Sequence, residues 1–256
     1  MRMRLLYFLL LVIGSTASMA QSDGDYRTDQ VGNWSTATTW EVFTGGAWQK
    51  LESGLAAPFT NITPTAASGA ITLQNNVTVT ASVSADQVTL TAGTLTISAG
   101  QTLSILDGLD NDFVNLGGTV TTTGTLSIAA SAVYEHARNG GTIPLVTWGV
   151  NSTCLVTGIT STNPALIAAN AYENFTWDCV QTGTRNLAGN LRTVNRDLLI
   201  LNTNNQLLQF STGTSYTLDI AGDFSVQGNS RIAFGTNANP VVVNLDGNFD
   251  FSSSAA

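Results

Sequence analysis

Apolar residues along this chain arrive in short pulses, two aliphatics at a time with one small polar residue between them. Residues 88–108, VTLTAGTLTISAGQTLSILDG, show the pattern three times. Val88 and Leu90 flank Thr89, Leu95 and Ile97 flank Thr96, and Leu103 and Ile105 flank Ser104. Side chains alternate across a strand, so each triplet directs two aliphatics to one face and a hydroxyl to the other. The triplets begin 7 and then 8 residues apart, with Ala92-Gly93 and Ala99-Gly100 between them. Such strands are very short, and a glycine at each gap permits a tight corner. No long stretch shows apolar residues at helical spacing, so an all-β chain is expected.

Two architectures fit these pulses: an antiparallel sandwich of hairpins, and a β-solenoid whose chain corners repeatedly and stacks coil on coil. The second half of the chain favours the solenoid. GNL begins at Gly189, GDF at Gly222 and GNF at Gly247, gaps of 33 and 25 residues, the longer read as one coil carrying an insertion. Offset by 25, Asp219 meets Asn244 and Asp223 meets Asn248, an exchange that corners tolerate because both side chains bond local backbone. Three pulses also sum to roughly 22–24 residues, one three-sided coil. A solenoid end is an open sheet edge and needs a cap. Residues 21–70, with Trp34, Trp40, Trp48 and Phe59, are the expected cap, and residues 71–256 the coils. The final LDGNFDFSSSAA begins a new coil, so the coils are expected to continue beyond this chain.

Residues 1–20 read as a secretory signal peptide: MRMR supplies the positive charge, Leu5 to Ile13 the apolar run, and STASMA the small residues before a cut. No later stretch approaches the ~20 apolar residues of a membrane helix, so a secreted protein is expected. The chain holds 9 Lys+Arg and 17 Asp+Glu; with Arg2 and Arg4 removed the balance is 7 against 17, or −10. That excess of acid argues against nucleic acid as a partner.

Five phrases then carry a resemblance: GNWSTATTW (32–40), YEHARNGGTIPLVTW (134–148), STCLVTGIT (152–160), NFTWDC (174–179) and LAGNLRTVNRDLLI (187–200). The chain resembles large secreted surface proteins of Bacteroidota-type bacteria, often exported by the type IX system. That resemblance implies a right-handed parallel β-helix and an adhesive, surface-layer or scaffold role. Glycans or other surface proteins are the expected partners.

Candidate chemistry is sparse. Cys154 and Cys179 lie 25 residues apart, the spacing of Gly222 and Gly247, and so are expected on successive coils as a disulfide. His136, the single histidine, is either a general base with Glu135 or Arg138, or a structural side chain at the edge of a coil. Asp107, Asp110 and Asp112 share one loop and offer oxygen ligands for calcium, but without the spacing of known calcium loops, so a solvated acidic corner is the preferred reading and calcium the alternative. Arg185, Arg192 and Arg196, near Asp197, are the nearest approach to the basic cluster of a polysaccharide lyase. Trp34, Trp40 and Trp48 are either a glycan-stacking platform or the filling of the cap. The expected function is therefore a non-enzymatic surface stalk or adhesin-like display domain, with a carbohydrate-binding module or a polysaccharide-cleaving β-helix as alternatives.

Overall fold

The computed structural model describes residues 21–51 and 63–252; the leader segment 1–20 and Phe59 lie outside them. The triplets of residues 88–108 become three strands, Val88–Leu90, Thr94–Ile97 and Thr102–Ile105, each in a different sheet. Their aliphatic side chains are buried and their Thr and Ser residues half-buried on the other face. The chain therefore corners twice and returns to the first sheet at Phe113–Asn115, which pairs in parallel with Val88–Leu90. Repetition of that circuit builds a β-solenoid of stacked parallel coils.

One sheet runs the whole length. Its inward ladder reads Ile71, Val88, Phe113, Tyr134, Cys154, Phe175, Leu198, Phe224 and Phe249, each residue the register partner of the next. The step is shortest from Ile71 to Val88 and longest from Leu198 to Phe224, so coil length varies while the inward ladder is kept; a register shift between Trp177 and Asp178 falls beyond the ladder residue Phe175. All but the last two are fully buried, Phe224 nearly so, and Phe249 is 53% exposed. Phe113 and Tyr134 stack nearly parallel, with ring centroids 5.4 Å apart.

The glycines of the later coils are explained by how closely the backbones approach. A Cβ on Gly247 would lie 2.3 Å from the Gly222 carbonyl oxygen, and one on Gly222 would lie 2.3 Å from Asp197 Oδ1. Asp219 and Asn244 are register partners joined by a 2.7 Å hydrogen bond, and Asn248 N donates to Asp223 Oδ1 at 2.7 Å. Gly189 does not belong to this series. The Gly222 amide bonds the Arg196 carbonyl, whereas Gly189 sits at another corner with its amide on Phe210. The long gap from Gly189 to Gly222 is thus a change of corner rather than an insertion.

Coiling begins before residue 71. Tyr26–Thr28 pairs in parallel with Ile71–Leu73, and Gly32–Asn33 with Val77–Val79. Thr28 locks this first rung to the next, its hydroxyl accepting from the amides of Gln74 and Asn75. On its other side Tyr26–Thr28 pairs antiparallel with Trp40–Thr44, and that strand with Ala47–Lys50. This hairpin closes the end of the long sheet. Its outermost strand carries Gln49 and Lys50, polar side chains of the kind that discourage edge pairing.

Between Ala137 and Ala171 the side sheets lapse, leaving only Thr147–Trp148 and an isolated bridge from Thr142 to Ala165. Side-chain amides replace the missing ladders. Asn139 Oδ1 accepts from the amides of Thr160, Ser161 and Thr162 at 2.9–3.0 Å. Buried Asn170 accepts from Val146 N at 3.0 Å and donates to Pro144 O at 2.9 Å.

The inward and outward faces of one strand should respond oppositely to truncation. Leu103→Ala removes a fully buried side chain and should cost about 2–5 kcal/mol. Ser104→Ala, on the outer face of the same strand, should stay within about 0.5 kcal/mol. Urea denaturation of the two variants measures the difference, and similar losses from both would contradict this facing.

Candidate functional site

The segment WEVFTGGAWQK forms the hairpin that closes the long sheet. Gly45 and Gly46 have φ of 58° and 82°, the left-handed pair that a two-residue turn demands. That turn fixes the register: Thr44 faces Ala47, Phe43 faces Trp48, and Glu41 faces Lys50. Trp40 and Val42 consequently point into the coil, while Glu41, Phe43, Trp48 and Lys50 share the outer face.

The three tryptophans separate accordingly. Trp34 and Trp40 are 2% and 0% exposed, with ring centroids 5.0 Å apart. Trp34 Nε1 donates to Pro64 O at 2.9 Å and Trp40 Nε1 to Trp34 O at 2.8 Å. Both fill the cap, and the expectation that they form a glycan platform is corrected: no sugar reaches them. Trp48 is half-buried on the outside. Its ring packs against Phe43 at a steep angle, centroids 5.4 Å apart, and the Arg27 guanidinium lies 4.4 Å from its centroid. Arg27 is in turn fixed by Glu41 at 2.6 Å.

Trp48 lines a groove of about 850 Å³ on the outer face of the long sheet. Thr72, Thr89 and Val114, successive register partners on three coils, form its floor. Asp110 and Asn111 stand along it, as do Ser22 and Asp25. The sequence held a signal for this arrangement: two adjacent glycines between alternating residues mark a hairpin, and counting outward from them pairs Phe43 with Trp48.

The acidic loop is a backbone brace. Asp112 is fully buried, and its carboxylate accepts from Gly108 N at 2.8 Å and Val133 N at 2.7 Å. Asp107 and Asp110 are exposed, and Asp110 has a left-handed φ of 62°. Asp86, on the preceding coil, faces Asp112; partial burial and the neighbouring carboxylates push its carboxyl up from the usual range. Among the described residues no group of three or more His, Cys, Asp or Glu side chains is arranged to hold a metal ion. Asp112 leaves the expected calcium set, its buried carboxylate already spent on two amides, while Asp107 and Asp110 form the solvated corner.

His136 points into the coil, and Glu135 on the same strand points out, so the two cannot act together. Glu135 instead accepts from Asn111 Nδ2 at 2.7 Å and Thr157 Oγ1 at 2.6 Å. His136 Nε2 lies 2.7 Å from the Gly140 carbonyl, which can only accept, so that nitrogen carries the proton. Nδ1 is buried without a partner. Burial holds the imidazole below its usual range, the Gly140 bond opposing and Arg138 adding to the effect. This is a structural histidine.

Cys154 and Cys179 are free, buried thiols, which corrects the disulfide expectation. The coil that starts at Cys154 closes at Phe175, its register partner, and Cys179 falls beyond it, beside Val156. Burial raises both thiols, Cys179 to about 12 and Cys154 well above its ordinary value. The arginines are likewise dispersed. Arg185 donates to the carbonyls of Gly183 and Ser161, while Arg192 donates to Gly189 O and lies over the Tyr216 ring.

Iodoacetamide without reductant should therefore label neither cysteine in the native protein and both after denaturation; a denatured, unreduced chain with no free thiol would contradict the assignment. His136 gives a pH dependence of defined sign. Its folded-state affinity for protons is depressed, so the unfolded chain binds more protons below about pH 6.5, and stability falls as pH drops through that value. The loss in Tm between pH 7.5 and 5.5 should be smaller in His136→Gln than in the parent chain, and equal losses would contradict it.

No protein family, no curated protein and no solved structure matches the chain.

Proposed function

We propose that this chain is a non-enzymatic structural domain of a secreted, surface-displayed protein, a stalk or adhesin-like module. The observation that carries this reading is the single run of parallel strands that continues from Tyr26–Thr28 to Phe249–Phe251 in one sheet. A closed column of this kind is stiff along its axis, because each added coil buries its apolar face on the last. It presents long outer faces at fixed spacing. On the long sheet the outward ladder runs through Thr72, Thr89, Val114, Glu135, Leu155, Thr176, Leu199 and Ser225.

Export is part of the same proposal. Its support is the sequence of residues 1–20, which lie outside the described residues, together with the resemblance to Bacteroidota-type surface proteins of the type IX system. No helix among the described residues is long and apolar enough to cross a membrane.

Expression of the full chain in a Gram-negative host, with N-terminal sequencing of the extracytoplasmic fraction, tests this reading. A mature terminus at Gln21 is expected. Retention in the cytoplasm with residues 1–20 intact would overturn it. So would release of reducing ends or unsaturated uronates when the purified chain meets a polysaccharide panel.

A further inference from the structure

The groove beside Trp48 has the make-up of a built site. Trp48 is the one tryptophan of the cap that the hairpin register turns outward, and it is held in place rather than left mobile. Phe43 packs against it at a steep angle, Arg27 lies over its ring, and Glu41 fixes Arg27. The opposite wall is equally braced. Asn111 is bonded to Glu135 on the next coil, and the loop before it is pinned through Asp112 to the Val133 amide. A third side rests on Asp25, whose carboxylate accepts from the amides of Ser22 and Ala70. Rigid walls of this kind reduce the ordering cost of binding.

We propose that this groove binds a neutral glycan, with Trp48 as its stacking platform. A pyranose has an apolar face of C–H bonds and a rim of hydroxyls. The indole suits the face, and the Thr72 and Thr89 hydroxyls, the Asp110 carboxylate and the Asn111 amide suit the rim. Charge selects the class of glycan. Asp25 and Asp110 line the groove and no Lys or Arg does; the nearest cation, Arg27, is already paired with Glu41. The chain as a whole carries −8. Gln21 also lines the groove, so in a chain cleaved after Ala20 one α-amino group stands against the two carboxylates. A uronate or sulfated polymer would still meet a net negative lining, whereas hydroxyl groups can donate to both carboxylates.

This inference is separable from the structural reading, since a stalk need not bind sugar. The test is affinity electrophoresis of the full chain in native gels cast with laminarin, with yeast mannan or with polygalacturonate, each normalised to a gel without polysaccharide. Retardation by laminarin or mannan is expected, and Trp48→Ala should weaken it by about tenfold. Thr89→Gln fills the groove floor without touching the hairpin and should have the same effect. Thr176→Gln, four coils further along the same outward ladder, should behave as the parent chain. The proposal is overturned if neither neutral polysaccharide retards the protein, if only polygalacturonate does, or if Trp48→Ala and Thr89→Gln are retarded as strongly as the parent. An exported, folded chain that binds neither neutral glycan would leave the structural reading standing.

Discussion

The constraint on which everything else rests is the in-register parallel ladder of the long sheet. Neighbouring strands lie about 4.8 Å apart, so each inward side chain must sit directly on one from the coil before. Only residues that pack on their own kind satisfy this repeatedly, and the column of aliphatic and aromatic side chains from Ile71 to Phe224 is the result. Coil length is free to vary, short from Ile71 to Val88 and long from Leu198 to Phe224, because loops and corners absorb the difference outside the ladder. Corners in turn must let backbone pass close to backbone, which is why glycine occupies Gly222 and Gly247 although neither has a left-handed φ.

The same constraint explains what could be read from the sequence. Triplets such as Leu103-Ser104-Ile105 are legible because alternation is a property of the strand itself, independent of coil length. The pairing of Asp219 with Asn244 is legible because two consecutive coils there happen to be nearly equal. Extrapolating a fixed period failed wherever coil length changed. Cys154 and Cys179 share the spacing of Gly222 and Gly247, but the local coil is shorter and already closes at Phe175, which leaves Cys179 in a different part of the rung. Gly189 misled for the same reason. The outward turn of Trp48 was open to reading through Gly45-Gly46, whereas the brace of Asp112 was not. It depends on the Val133 amide, which only the stacking of the next coil brings near.

The column is not uniformly apolar, and a group of its polar members lies just before its side sheets lapse. Asn115 and His136 are register partners, and Asn115 also faces Tyr134, yet neither amide atom of Asn115, the Tyr134 hydroxyl nor His136 Nδ1 has a well-formed partner. Leaving such groups buried costs about 1–3 kcal/mol each. The segment just beyond, residues 137–171, has few ladder bonds to offset that cost and relies on Asn139 and Asn170 to gather backbone amides. Stability along the solenoid is therefore uneven. The coils on either side, with three sheets each, hold this section between them, as expected of an assembly whose units depend on their nearest neighbours.

Chemistry in such a fold is confined by geometry. Inward positions are consumed by packing, which is why His136, Cys154 and Cys179 are sealed from solvent and have their proton affinities displaced by burial. Outward positions on a regular rung are spaced by the ladder and surrounded by water, so two of them rarely converge on one ligand. Convergence needs a break in regularity that rises above the sheet. The closing hairpin and the loop at residues 107–112 are such breaks, and both border the same three outward positions, Thr72, Thr89 and Val114. The turn that hides Trp40 to seal the column is the turn that exposes Trp48 on the opposite face. Closing the end of the solenoid and furnishing it with an aromatic platform are thus two consequences of one register.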